Sequence, residues 1–154
     1  MNKFYYLFMI TLIFSQDTPY FDGHKAYEYL KKQCEFGPRY PGSEGHLKMK
    51  RYLNRFFRDF SCDIIIMDEN VKHPYTEQDV YLTNYLIRFY PERENRIMIM
   101  AHWDTREIAD KDPIKENREK PIIGANDGAS GVAVLLALAE ILHKHPLLNI
   151  GIDL

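Results

Sequence analysis

Apolar residues recur along this chain with two periods, and the changes of period mark out its elements. Between Asp22 and Glu35, Tyr27, Leu30 and Cys34 are separated by Lys and Glu, the spacing of a helix with one buried stripe. Gly37-Pro38 supplies the stop and Arg39-Tyr40-Pro41-Gly42 has the composition of a turn. A second helical run opens behind Ser43, an N-cap candidate with His46 three residues on, and carries Leu47, Met49, Tyr52, Leu53, Phe56, Phe57 and Phe60.

After Ser61-Cys62 the pattern turns β-branched. Asp63-Ile64-Ile65-Ile66-Met67 predicts a strand, and so does Val80 to Tyr90. Pro91-Glu92-Arg93-Glu94-Asn95 then reads as a hairpin loop, and Ile97-Met98-Ile99-Met100-Ala101 as a strand buried on both faces. From Gly131 to His143 the apolar positions Val132, Val134, Leu135, Leu136, Leu138, Ala139, Ile141 and Leu142 cover most of a helix, which therefore packs on a sheet. Pro146 lies just past its end, and Leu147 to Leu154 begins another strand. Strand, long loop, buried helix, strand is the order of an α/β layered domain.

Composition adds little to this but excludes much. With 154 residues, 45% hydrophobic and 27% charged, the chain is globular material for one domain. A formal charge of −2 offers no general attraction to nucleic acid or anionic membrane. Two cysteines are too few for a thiolate zinc cluster and leave open a single Cys34–Cys62 bridge. Lys3 followed by the apolar run Phe4 to Phe14 and then Ser15-Gln16-Asp17 fits a secretory signal over residues 1–16, since a bilayer span needs about 20 apolar residues. On that reading the remainder, 17–154, is secreted or periplasmic and free of the membrane. A buried N-terminal strand or helix is the alternative.

Candidate chemistry lies at the ends of the predicted elements. His102 and Asp104, in Ala101-His102-Trp103-Asp104-Thr105-Arg106, follow the apolar strand at its carboxyl end, where open α/β sheets keep their sites. An imidazole with a carboxylate beside it suits a metal ligand and its orienting partner, or simple local hydrogen bonding. Gly124-Ala125-Asn126-Asp127-Gly128-Ala129-Ser130-Gly131 leads into the apolar helix. Asp127 is there either a helix cap or a hard-oxygen metal ligand; phosphate would be repelled by it. Glu107 to Lys120 is a charged loop long enough to be functional or a solvated connection. His73, His143 and His145 have no partner at ligand spacing.

These three stretches together, with Ala109-Asp110-Lys111-Asp112-Pro113 and Phe36-Gly37-Pro38-Arg39-Tyr40-Pro41-Gly42-Ser43, resemble the zinc-dependent exopeptidase superfamily of aminopeptidases and glutaminyl-peptide cyclotransferases. The Asp-Lys-Asp-Pro loop and the Trp of His-Trp-Asp are closest to bacterial cyclases. The resemblance implies a three-layer α/β/α fold with a mostly parallel or mixed sheet. It implies Asp127 and His102 as zinc ligands, Asp104 as the catalytic residue that orients His102, and Trp103 as a substrate contact. An aminopeptidase would hold two Zn²⁺ bridged by Asp127; a cyclase would hold one, bound by Asp127 with a later Glu and a later His, and His102 need not touch it. The expected partner is the N-terminus of a peptide, and the leading expectation is conversion of N-terminal glutamine to pyroglutamate with loss of ammonia. Aminopeptidase action, or a non-catalytic binding domain on the same fold, are the alternatives. The superfamily's paired acidic residues and last histidine fall beyond Leu154, so 17–154 is expected to be the N-terminal part of one catalytic domain, inactive and poorly stable by itself.

Overall fold

The structure, a computed structural model, describes residues 18–73, 76–146 and 149–154. The signal segment at 1–16 and the expected strand start at Leu147-Leu148 lie outside them. The elements follow in the order α1 (Gly23–Glu35), α2 (Glu44–Phe57), β1 (Asp63–Lys72), β2 (Asp79–Phe89), β3 (Arg96–Met98), α3 (Gly131–Lys144) and β4 (Gly151–Asp153). A single 3₁₀ turn at Lys115–Asn117 interrupts the charged loop, and a wide helical turn at Ala125–Ser130 feeds α3.

Both early helices start on side-chain caps. The Asp22 carboxylate accepts the Lys25 N–H at 3.0 Å, and Ser43 Oγ accepts the His46 N–H at 3.1 Å, each satisfying a donor that a first helical turn leaves open. Helix α2 buries Met49, Leu53 and Phe57, four residues apart, as its period requires. Helix α1 buries Ala26 and Gln33, one place round from the expected stripe, and Tyr27 is exposed. The rotation follows from its neighbour: α1 lies along α3, whose Glu140 takes hydrogen bonds from Lys25 and Tyr29.

The strands form one mixed sheet in the order β1-β2-β4-β3. β1 and β2 pair antiparallel over their whole length, from Asp63 opposite Arg88 to Lys72 opposite Asp79. β4 is antiparallel to β2 and parallel to β3. The loop Pro91–Asn95 is therefore no hairpin: it carries the chain past the place that β4 takes between β2 and β3. Nor is β3 buried on both faces. It is an edge of the sheet, only Arg96–Met98 is paired as strand, and Met98 and Met100 are 56% and 78% exposed.

The core explains the difference. Met49, Leu53 and Phe57 of α2 and Val132, Leu136, Ala139 and Leu142 of α3 pack on Ile87, Phe89, Ile152 and Leu154, which share one face of the sheet. The described helices cover that face alone. Across the sheet Arg88 and Arg96 close on Asp153, with Arg96 Nη2 at 2.6 Å from its carboxylate. Cys34 and Cys62 are free thiols.

Candidate metal centre

β3 is prolonged by the Ile99 N–H, which donates to the Asp153 carbonyl at 2.9 Å. Immediately beyond, the strand end delivers His102 and Asp104 beside the turn that precedes α3. In that turn Gly124 stands at φ 62°, ψ 46°, and a side chain there would meet Thr105 Cγ2 at 2.5 Å, so only glycine fits. Asp127 leaves helical geometry (φ −105°, ψ 92°), and its peptide bond to Gly128 is cis. Gly128 is buried against His102: a Cβ on it would lie 2.8 Å from the imidazole.

His102 Nε2 stands 2.8 Å from Asp127 Oδ1, and Nδ1 stands 3.2 Å from the Asp104 carbonyl and 3.4 Å from its carboxylate. Asp127 thus faces the histidine and caps no backbone N–H of α3. Both ring nitrogens look at oxygen acceptors. A neutral imidazole has one N–H to give, so donation to Asp104 leaves the Nε2 lone pair confronting the Asp127 carboxylate. A cation between those two atoms removes the conflict, and an imidazole nitrogen with a carboxylate oxygen is the donor set of a zinc site. The donor chemistry of these two side chains fits a metal, and Asp104 stands against the other ring nitrogen of His102. They are two donors: among the described residues no group of three or more His, Cys, Asp or Glu converges on one point.

Trp103, half-buried, packs between β2 and α2 and lines one cavity with His102 and Asp104. Its indole N–H donates to the Thr83 carbonyl at 3.0 Å, and its ring stacks on His46 at 4.3 Å and 23°. One side of it borders a cavity of about 530 Å³ shared with His46, Tyr85, Met100, Asp104 and Leu135. On its sheet side, Ile87 and Leu154 exchange both backbone bonds at 2.9 Å, and the indole meets the same strand β2 at Thr83.

Two residues at this site carry more than the sequence reading gave them. His46 was read there only as a position beside a cap; it is buried, and desolvation holds its imidazole below the ordinary histidine range, partly offset by Asp104. Arg39 stands in the sequence as part of a turn and of the Phe36–Ser43 segment that carries the resemblance, with no role of its own, yet it is fully buried behind the site. The histidines outside the site make local contacts: His73 pairs with Glu107 at 2.9 Å, and His143 accepts the Ser61 N–H and stacks on Phe60.

Residues 84–154, the stretch that runs from β2 through both halves of the site, match the Peptidase family M28 model. The sequence signature and the fold agree. A glutaminyl cyclase from Bacteroides thetaiotaomicron, crystallised with N-acetylhistamine, is 36% identical with a TM-score of 0.81 over 89% of this chain and 47% of its own. A leucine aminopeptidase precursor from the same organism is 36% identical with a TM-score of 0.82 over the same shares. A Zn-dependent exopeptidase from Parabacteroides distasonis is 33% identical, with a TM-score of 0.79 over 88% of this chain and 46% of its own. The chain spans about half the length of these solved structures. No curated protein matches it. Cyclases and exopeptidases stand side by side among these neighbours, one of them named as Zn-dependent, and the similarity does not divide the two activities.

Proposed function

We propose that this chain is part of a zinc-dependent glutaminyl-peptide cyclotransferase, acting on peptides that begin with glutamine. The observation that carries the zinc site is the contact of His102 Nε2 with Asp127 Oδ1 at 2.8 Å at the carboxyl end of β3. What favours the cyclase is the likeness of Trp103 and the Asp110-Lys111-Asp112-Pro113 loop to bacterial cyclases, together with the 36% identity to one of them. An aminopeptidase is the second reading, supported by the equal identity to an aminopeptidase precursor.

In the reaction the peptide's α-amine attacks its own glutamine side-chain amide. A carbon–nitrogen bond forms to close the five-membered lactam, the amide nitrogen leaves as ammonia, and a carboxylate carries the proton from the entering nitrogen to the leaving one. Zinc, when bound, supplies Lewis-acid polarisation of the amide carbonyl. Asp127 would hold the ion in either reading: as a ligand of the cyclase's single zinc, with His102 standing beside it at 2.8 Å, or as the bridge between the aminopeptidase's two, one of which His102 would bind. Asp104 keeps the His102 Nδ1 occupied so that Nε2 presents its lone pair. Trp103 offers its exposed side to the substrate's glutamine. The apolar run at 4–14 suits a signal segment, and export is part of this proposal.

The test is to express the protein at the full length its gene encodes and follow ammonia release from a glutamine-initiated peptide, with and without a chelator. Chelator-sensitive ammonia release supports the cyclase. Shortening of the peptide by one residue replaces it with the aminopeptidase, and no reaction on either count favours a non-catalytic domain. In the same protein Asp127→Ala is expected to abolish zinc binding and turnover while the circular dichroism stays folded; unchanged zinc content removes Asp127 from the ligand set. Asp104→Asn is expected to keep zinc but lower turnover by about ten- to a hundredfold, the usual cost of losing a ligand's orienting partner, and full activity would leave Asp104 with no role beyond the strand end.

A further inference from the structure

The most deeply buried charge in the described chain has no part in the site as drawn so far. The Arg39 side chain is wholly inaccessible, and its guanidinium is held by backbone carbonyls alone. Nε donates to Trp103 O at 3.2 Å; Nη1 donates to Gln33 O at 3.1 Å, Gly37 O at 3.2 Å and Ile123 O at 3.0 Å; Nη2 donates to Gly124 O at 3.1 Å. The Arg39 backbone N–H adds a bond to Thr105 Oγ1 at 2.8 Å. Removing a cation from water costs several kcal/mol, and as packing alone an apolar side chain of similar volume would serve the fold better. What an apolar side chain cannot do is hold five carbonyls in fixed directions, which a planar guanidinium with its rigid fork of donors does.

The carbonyls come from three separate stretches of chain. Gln33 and Gly37 end α1, Trp103 lies between His102 and Asp104, and Ile123 and Gly124 open the turn that carries Asp127. Between the second and third of these stretches the backbone bond nearest the site is long, from the Ile122 N–H to the Arg106 carbonyl at 3.4 Å; Arg39 adds shorter bonds to both, at Trp103, Ile123 and Gly124. We propose that Arg39 is a positioning residue that fixes the strand end bearing His102 against the turn bearing Asp127, and so sets where the Asp127 carboxylate meets both the zinc and His102. It rests on the proposed zinc site for its consequence, while the geometry it imposes stands without the metal. Lysine, a point charge on a flexible stem, cannot span the same acceptors.

The experiment compares Arg39→Met, Arg39→Lys and the core variant Leu53→Ala in the protein at the full length its gene encodes, with Leu53→Ala as the control for lost stability. Zn²⁺ affinity of Arg39→Met is expected to fall by about ten- to a hundredfold, as for loss of a group that orients ligands, and millimolar guanidinium ion is expected to restore it. Leu53→Ala is expected to lower the melting temperature without changing the affinity. By NMR on the metal-free protein, the proton contact between the His102 ring and Gly128 Hα is expected to vanish in Arg39→Met while contacts between α2 and β2 persist. Should Arg39→Met fail to fold, the same criteria apply to Arg39→Lys. The proposal is overturned if the Arg39 variants bind zinc as Leu53→Ala does, or if the His102–Gly128 contact survives in them. If the unsubstituted protein binds no zinc, the functional reading falls and the NMR comparison alone decides for or against Arg39.

Discussion

His46 lies face to face with Trp103 in the first turn of α2, buried, with Lys50 and Asp104 as the charges near it. Burial disfavours its charged form, so the unfolded chain takes up a proton at a pH where the folded one does not. Between the ordinary histidine value, about 6.5, and the lower folded value, the unfolded state binds more protons and stability rises with pH. The contribution is complete above the ordinary range and is lost as the solution is acidified through it. Urea unfolding is expected to show this slope, and His46→Gln to reduce it; an unchanged slope would remove His46 as its source. At this scale the sequence was informative about His102, Asp104 and Asp127, because small residues and strand-end spacing mark them locally. It was silent about Arg39 and His46, whose roles come from burial and from partners more than 50 positions away, Trp103, Ile123 and Gly124. Nothing in the neighbouring residues of a turn reports that its arginine faces inward.

The elements themselves were legible where one face decides them. The period of α2 is legible because it presses one stripe on the sheet, α3 because it is apolar over most of its circumference and packs on both the sheet and α1, and β2 because of its β-branched and aromatic content. Pairing was not legible: β2 and β3 adjoin in sequence, yet β4 lies between them, and only the crossover through α3 brings it there. The α1 stripe was misplaced by one residue because Tyr27 offers as much apolar surface as Ala26, while the close approach to α3 favours the smaller side chain.

As a whole molecule the chain presents apolar rows to solvent. Ile64, Ile65, Ile66 and Met67 on β1 and Ile97, Met98, Ile99 and Met100 at β3 are all exposed, and both strands are edges of the sheet. Unpaired strands with apolar faces invite pairing with another copy. The 154-residue chain is expected to self-associate as its concentration rises, and Ile65→Lys with Met98→Lys to reduce this in sedimentation; a monomer at every concentration would contradict it. The fold class was legible at this scale from element order. The openness of one face was not, since an apolar run reads the same whether or not something covers it. One further consequence belongs to the site as seen from outside. Trp103 is the single tryptophan of the chain, bonded to β2 through its N–H and stacked on α2 through its ring. Its near-ultraviolet emission is a native optical gauge: one wavelength reads whether strand end, sheet and helix still meet, with no label attached.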